Sequence, residues 1–122
     1  MLKKQEKKIQ HGDIWMCNLL KRNGSVQYGY RPVFILSNDK NNIFAKTVNI
    51  IPLTSKLNKR NIPVHVNLLD YEQYGLKSPS TLLIEQIMTV SIFDLDSYIG
   101  HIEDKEILKS ISNAISIQFQ LS

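Results

Sequence analysis

Short apolar runs rich in β-branched residues follow one another along most of this chain, and the links between them are too short to hold a crossover helix. Strands joined in that way pair antiparallel. The pattern therefore predicts an antiparallel β-barrel or compact sandwich and argues against an alternating β-α-β plan. The runs are 13–20, 33–37, 47–53, 64–69 and 81–90, the last interrupted by Glu85-Gln86. In the first, Ile14, Met16 and Asn18 alternate with Trp15, Cys17 and Leu19, so this strand is expected to be covered on both faces. Pro32 lacks the N–H that a ladder needs and is expected at the start of its strand. Asn38-Asp39 through Asn42 reads as a turn, and 93–98 as a brief helical turn after which Gly100 breaks the chain. From about residue 103 the period changes. Ile107, Leu108, Ile111, Ile115 and Phe119 recur at helical spacing behind Glu103, Asp104 and Glu106, which suit a helix N-terminus. The apolar stripe of this C-terminal helix is expected to dock on the β layer.

With 122 residues, 43% of them hydrophobic, the chain can build one core but not two domains. Residues 1–11 read as a flexible basic arm and 12–122 as a single domain. No apolar run approaches the ~20 residues of a membrane helix, and the Lys-rich start lacks the features of a secretory signal. The expectation is a cytoplasmic protein with no membrane partner. Cys17 is the sole cysteine and reads as a packed thiol. His11, His65 and His101 show no metal-ligand spacing, so no metal and no other cofactor is expected.

The net charge of +4 hides an asymmetry: residues 1–60 hold 12 Lys/Arg against 3 Asp/Glu, and residues 61–122 hold 3 against 8. Part of the excess, Lys3, Lys4, Lys7 and Lys8, belongs to the arm. Lys21, Arg22, Lys56, Lys59 and Arg60 instead cluster in two loops, 21–30 and 54–61, beside the most informative segments of the chain. Such a basic face attracts nucleic acid, while the acidic remainder limits unspecific adhesion. In those segments Tyr30-Arg31-Pro32 opens one apolar run and Pro52-Leu53-Thr54-Ser55 closes the next. A guanidinium and a hydroxyl at strand ends suit a phosphate, because the planar fork of donors matches phosphate oxygens and keeps its charge at any working pH.

These segments recur in an order that resembles the MazF/PemK family of toxin endoribonucleases. The likeness runs from about Gly12 to His101 through Gly12-Asp13-Ile14-Trp15, Gly24-Ser25-Val26-Gln27, Arg31-Pro32-Val33, Ser37-Asn38-Asp39, Pro52-Leu53-Thr54-Ser55, Pro63-Val64-His65-Val66, Leu83-Ile84-Glu85-Gln86-Ile87 and Ile99-Gly100-His101. No single tetrad is specific; their shared order and spacing is. The resemblance implies an SH3-like barrel that forms a homodimer and cuts single-stranded RNA without a metal to leave a 2′,3′-cyclic phosphate. It further implies neutralisation by a cognate antitoxin, with operator DNA bound only through the antitoxin complex. Arg31 and Thr54 take the positions of the family's catalytic pair.

The remaining candidates bind substrate: Ser25, Gln27, Tyr28 and Tyr30 from the first loop, Ser55 beside Thr54, and Glu85 with Gln86. Ser25 and Gln27 offer hydrogen bonds, and the tyrosines offer faces on which unpaired bases stack. Two roles stay open for Glu85, acceptor of the 2′-hydroxyl proton or structural carboxylate. His65 is expected on an exposed strand face. The chain departs from the family where Val26 and Tyr28 replace an acid and a glycine and where Met88 replaces a cation. An RNA- or partner-binding module without catalysis is therefore the alternative. A gyrase poison on the related toxin barrel is disfavoured by the ending Phe119-Gln120-Leu121-Ser122.

Overall fold

The computed structural model describes residues 7–21, 24–57 and 62–121. Arg22, Lys59 and Arg60 of the two basic loops, with Lys3 and Lys4 of the arm, lie outside the described residues.

Seven strands form one antiparallel sheet: β1 (Asp13–Leu19), β2 (Gly29–Ile35), β3 (Thr47–Thr54), β4 (His65–Leu68), β5 (Ser80–Leu83), β6 (Met88–Ser91) and β7 (Leu95–His101). The strand order is β4-β5-β3-β2-β1-β7, with β6 paired to β3 off this path. The mainly antiparallel β class with a C-terminal helix is thus the one the alternating runs predict. Among the described residues no ladder joins β4 to β7, so strand pairing alone leaves the sheet open.

The central strands are apolar on both faces, as the first run suggests. Ile14, Phe34, Ile51 and Leu53 belong to one core with Leu68, Leu82 and Ile84; Trp15, Cys17, Val33, Ile35 and Ile50 belong to the other with Val48 and Leu95. The alternation along β1, β2 and β3 follows from the two-residue side-chain period of a strand. The C-terminal helix, α2 (Lys105–Phe119), closes the first core with Ile111 and Ala114, and Ile107, Leu108 and Ile115 pack at its edge. Asp104 caps α2 by accepting from the backbone N–H of Glu106 and Ile107. Phe119, expected on the docked stripe, is half exposed at the helix end.

Several sequence expectations need correction. Asn38–Asn42 is more than a turn: it begins a short helix, α1 (Asp39–Phe44), because the Asn38 side chain accepts from the Asn41 N–H at 2.8 Å. The 93–98 stretch is helical only at Ile92–Asp94 and then runs on as β7. Gly100 does not break the chain; it lies inside β7. A Cβ there would stand 2.1 Å from the Tyr74 carbonyl oxygen, so only glycine lets the short 3-10 segment at Tyr71–Tyr74 approach the strand. Gly75 makes the reciprocal approach, where a Cβ would meet the Ile99 carbonyl oxygen at 2.3 Å. Strand β2 also starts earlier than its apolar content suggests, so Gly29 and Tyr30 leave the loop and pair with Leu19 and Asn18 of β1.

The lead-in to the domain is held by polar contacts. The backbone N–H of His11 donates to Asp39, and its ring Nδ1 donates to the Leu36 carbonyl at 2.9 Å. Asp13, fully buried, accepts from the Gln10 N–H, the Trp15 indole, His101 and Lys7. A buried carboxylate requires this degree of satisfaction.

Candidate active site at the fork of β2 and β3

Pro32 explains where the site opens. The β2–β3 ladder pairs Ile35 with Ile50, Phe34 with Ile51 and Val33 with Pro52, and stops there. Continuing the register would set Pro32 opposite Leu53 and Arg31 opposite Thr54. Neither proline can donate to a ladder, and beyond Pro52 strand β3 pairs with β5 through Leu53 and Thr54 instead. Pro32 therefore lies inside β2, where its missing N–H costs no bond on the unpaired side. Pro52 lies between the stretch of β3 paired to β6 and the stretch paired to β5. The ladder ends, and Arg31 and Thr54 both line the cavity that opens beyond its last rung.

A cavity of about 590 Å³ fills this fork. Tyr30, Arg31 and Pro32 line it from β2, Leu53 and Thr54 from β3 with Ser55 just after it, and Lys77 with Ser78 from the turn after Gly75. Arg31 is held in place by two backbone carbonyls: Nε donates to Tyr28 at 2.8 Å and Nη1 to Leu53 at 3.2 Å. Among the described residues no carboxylate pairs with it, so its charge is uncompensated. Thr54 Oγ1 accepts from the Lys56 N–H at 3.3 Å, which leaves its own proton free for a ligand. The arrangement offers an oriented cation and a neutral donor to one anionic group, the electrostatic requirement for stabilising charge that builds on a phosphate.

The other candidates divide. Ser55 and Tyr30 share the cavity with the pair. The Tyr30 hydroxyl donates to Asp96; this bond, with some burial, raises its pKa above the ordinary tyrosine value. Gln86 reaches the first loop rather than the cavity: its Oε1 accepts from the Gln27 N–H at 2.7 Å and its Nε2 donates to the Ser25 carbonyl at 3.2 Å. Ser25 and Gln27 are thus engaged through their backbones. The Tyr28 ring lies under Lys21 Nζ, 5.3 Å from the ring centre, so one of its faces is already occupied.

Glu85 is not brought to the Arg31–Thr54 cavity. Its carboxylate meets His65 Nε2 at 3.0 Å, and the His65 side chain is only 15% exposed. The expectation of an exposed His65 therefore fails: a carboxylate across the β4–β5 edge draws the ring in. Met88, read as a lost cation, packs against the second core. The cavity wall formed by Lys77 and Ser78 was missed. The available signal was Lys77 itself, the one lysine or arginine between positions 61 and 104. Among the described residues no three metal-ligating side chains gather, and no helix is long and apolar enough to cross a membrane.

An antiparallel β fold with a C-terminal helix thus carries a groove lined by Arg31 and Lys77 where two of its central strands part. The family model described as PemK-like, MazF-like toxin of type II toxin-antitoxin system matches residues 10–119, and the chain belongs to that family. It is 35% identical over 113 residues to Endoribonuclease MazF of Staphylococcus saprophyticus, covering 93% of this chain and 92% of the relative. It is 33% identical over 113 residues to Endoribonuclease EndoA of Bacillus subtilis, covering 93% and 96%. Among solved structures, Mycobacterium tuberculosis toxin MazF-mt6 superposes with a TM-score of 0.74 at 24% identity, over 90% of this chain and 98% of that one, a likeness of fold.

Proposed function

We propose that this protein is an endoribonuclease toxin that cuts single-stranded mRNA at particular sequences through attack of the RNA's own 2′-hydroxyl. The 2′-oxygen bonds to phosphorus, the 5′-oxygen departs, and the products carry a 2′,3′-cyclic phosphate and a 5′-hydroxyl. Arg31 holds the scissile phosphate and stabilises the charge that builds on its equatorial oxygens, while the Thr54 hydroxyl donates to the same group. No step requires a metal or another cofactor. Two tethers to carbonyls keep the guanidinium aimed before substrate arrives, so little reorganisation is required during reaction. Tyr30 and Ser55 contact the neighbouring nucleotides. Solvent water accepts the 2′-hydroxyl proton and returns one to the departing 5′-oxygen, since Glu85 meets His65 and does not line the cavity.

The observation that supports this reading is that Arg31 and Thr54 line one cavity just beyond the last rung of the β2–β3 ladder. The family's place in toxin-antitoxin systems and the names of the relatives support it. On this reading the protein works in the cytoplasm as a homodimer, arrests growth, and is neutralised by a cognate antitoxin whose acidic segment competes with RNA for the groove. Operator DNA is engaged only through that complex. The test is incubation of the purified protein with long single-stranded RNA in EDTA, with mass analysis of the fragment ends. Discrete cuts ending in cyclic phosphate, lost in Arg31→Ala, are expected; RNA left whole across many sequences would refute the reading and leave a binding module on the same fold.

A further inference from the structure

Among the described residues, the cavity at the fork is lined by two cations, Arg31 and Lys77, and by no carboxylate. Arg31 comes from β2, and Lys77 comes from the turn that follows the 3-10 segment, so the predominantly acidic second half of the chain contributes one positive charge to this wall. Among the described residues no carboxylate pairs with Lys77. The turn that carries it is built rather than loose. Gly75 adopts a left-handed conformation, φ 78°, directly beneath the Ile99 carbonyl, and Gly100 of β7 lies as closely against the Tyr74 carbonyl. These interlocked approaches leave no room for the turn to slide along β7. Ser80 Oγ donates to the Ser78 carbonyl at 3.1 Å and fixes its far side.

A second cavity lies on the other side of Tyr30, and its lining is acidic, with Asp94 and Asp96 beside Asn18 and Phe93. Tyr30 therefore separates a cationic groove from an anionic one. A polyanion anchored by Arg31 is repelled on the Asp94–Asp96 side and attracted on the Lys77 side. We propose that Lys77 binds a second phosphodiester of the RNA strand, flanking the one held by Arg31, and so sets the direction in which the strand leaves the cleavage point. This rests on the reading of the Arg31–Thr54 groove as the site of cleavage. Lys77 binds by charge to the backbone, so it positions the strand without reading a base.

The test uses the full-length protein and a short RNA containing one cut site first mapped on a long transcript. Lys77→Ala raises KM roughly fivefold at moderate salt, whatever bases flank the cut, and the loss falls in KM rather than in kcat. It also lowers the slope of log affinity against log salt by about 0.7, the value for one lost contact to a single strand. Lys77→Arg restores both. A scan with single uncharged methylphosphonate linkages finds one flanking position that weakens the wild type and leaves Lys77→Ala indifferent. Unchanged KM and salt slope in Lys77→Ala, with the wild type cutting normally, overturn the proposal and leave the cleavage reading intact. Weaker inhibition by polyglutamate with unchanged RNA affinity assigns the lysine to a protein partner and likewise overturns it. Equal cutting by wild type and Arg31→Ala overturns the underlying reading and the proposal together.

Discussion

Replacing Gln86 by alanine removes both side-chain bonds that hold the loop preceding Arg31. The Gln27 N–H at 2.7 Å loses its acceptor and the Ser25 carbonyl at 3.2 Å loses its donor. Each contributes a net of about 0.5–1.5 kcal/mol, the longer and more exposed Ser25 bond at the lower end, so the held loop loses roughly 1–3 kcal/mol relative to its released form. That is a shift of about 5- to 150-fold in the opening equilibrium. Hydrogen exchange at the Gln27 amide, followed by NMR, reads this shift directly. Cleavage should follow, because Arg31 Nε donates to the Tyr28 carbonyl in the same loop and keeps only its Leu53 contact once the loop is released. Gln86→Glu is the discriminating control: it retains an acceptor for Gln27 but sets an oxygen against the Ser25 carbonyl, so Gln27 exchange should rise less than in the alanine variant. Unchanged exchange in Gln86→Ala would refute the latch. Faster exchange with undiminished cleavage would show that the loop does not position Arg31.

Other consequences are as direct. Arg31→Lys keeps the charge but cannot donate to two carbonyls and a phosphate in one plane, so kcat should fall by about 100-fold or more while thermal stability stays near wild type; a rate within threefold would remove the need for the fork of donors. Asp13→Ala leaves the buried Trp15 indole and Gln10 N–H without an acceptor and should cost about 3–5 kcal/mol in urea unfolding followed by the fluorescence of Trp15, the sole tryptophan. Asp13→Asn keeps one oxygen for those donors and should cost about 1–2 kcal/mol; equal losses in the two variants would contradict the network. Tyr30 titrates above the ordinary tyrosine value chiefly because it donates to Asp96, so Asp96→Asn should lower its pKa in an ultraviolet titration corrected with Tyr30→Phe. The sign for stability follows: the contribution is fully present below the unfolded-state value of about 10 and is lost as pH rises through the raised folded value. A titration unmoved by Asp96→Asn would refute the assignment.

What the sequence disclosed of the site depended on whether the signal was local. Arg31 and Thr54 were legible because each stands in a short motif at the end of an apolar run, where a polar side chain on a strand invites a functional explanation. Glu85 was ambiguous for the opposite reason. Its partner His65 lies twenty positions away on β4, and only the pairing of His65 with Leu83, just before the turn that carries Glu85, determines that the two meet. Gly100 was misread as a stop because the reason for it, the Tyr74 carbonyl beneath the strand, is a tertiary contact that no local pattern announces.

The prolines carry the deeper lesson. Pro32 looked like a strand boundary because a proline cannot serve a ladder, and that premise is sound; the error was to suppose that a strand has two paired sides along its whole length. At Pro32 strand β2 is paired to β1 and unpaired toward β3, and at Pro52 strand β3 passes from one partner to another. Pro32 sits where its missing N–H faces β3 and denies the next rung its donor, whereas Pro52 is itself paired with Val33 and turns its nitrogen away from β2. Were Pro32 an ordinary β-former, a further rung to Leu53 could form and narrow the mouth of the cavity that Arg31 and Thr54 line. Pro32, directly after Arg31, thus shapes the candidate site in a physical sense: it ends the β2–β3 ladder where the cavity lined by Arg31 and Thr54 begins.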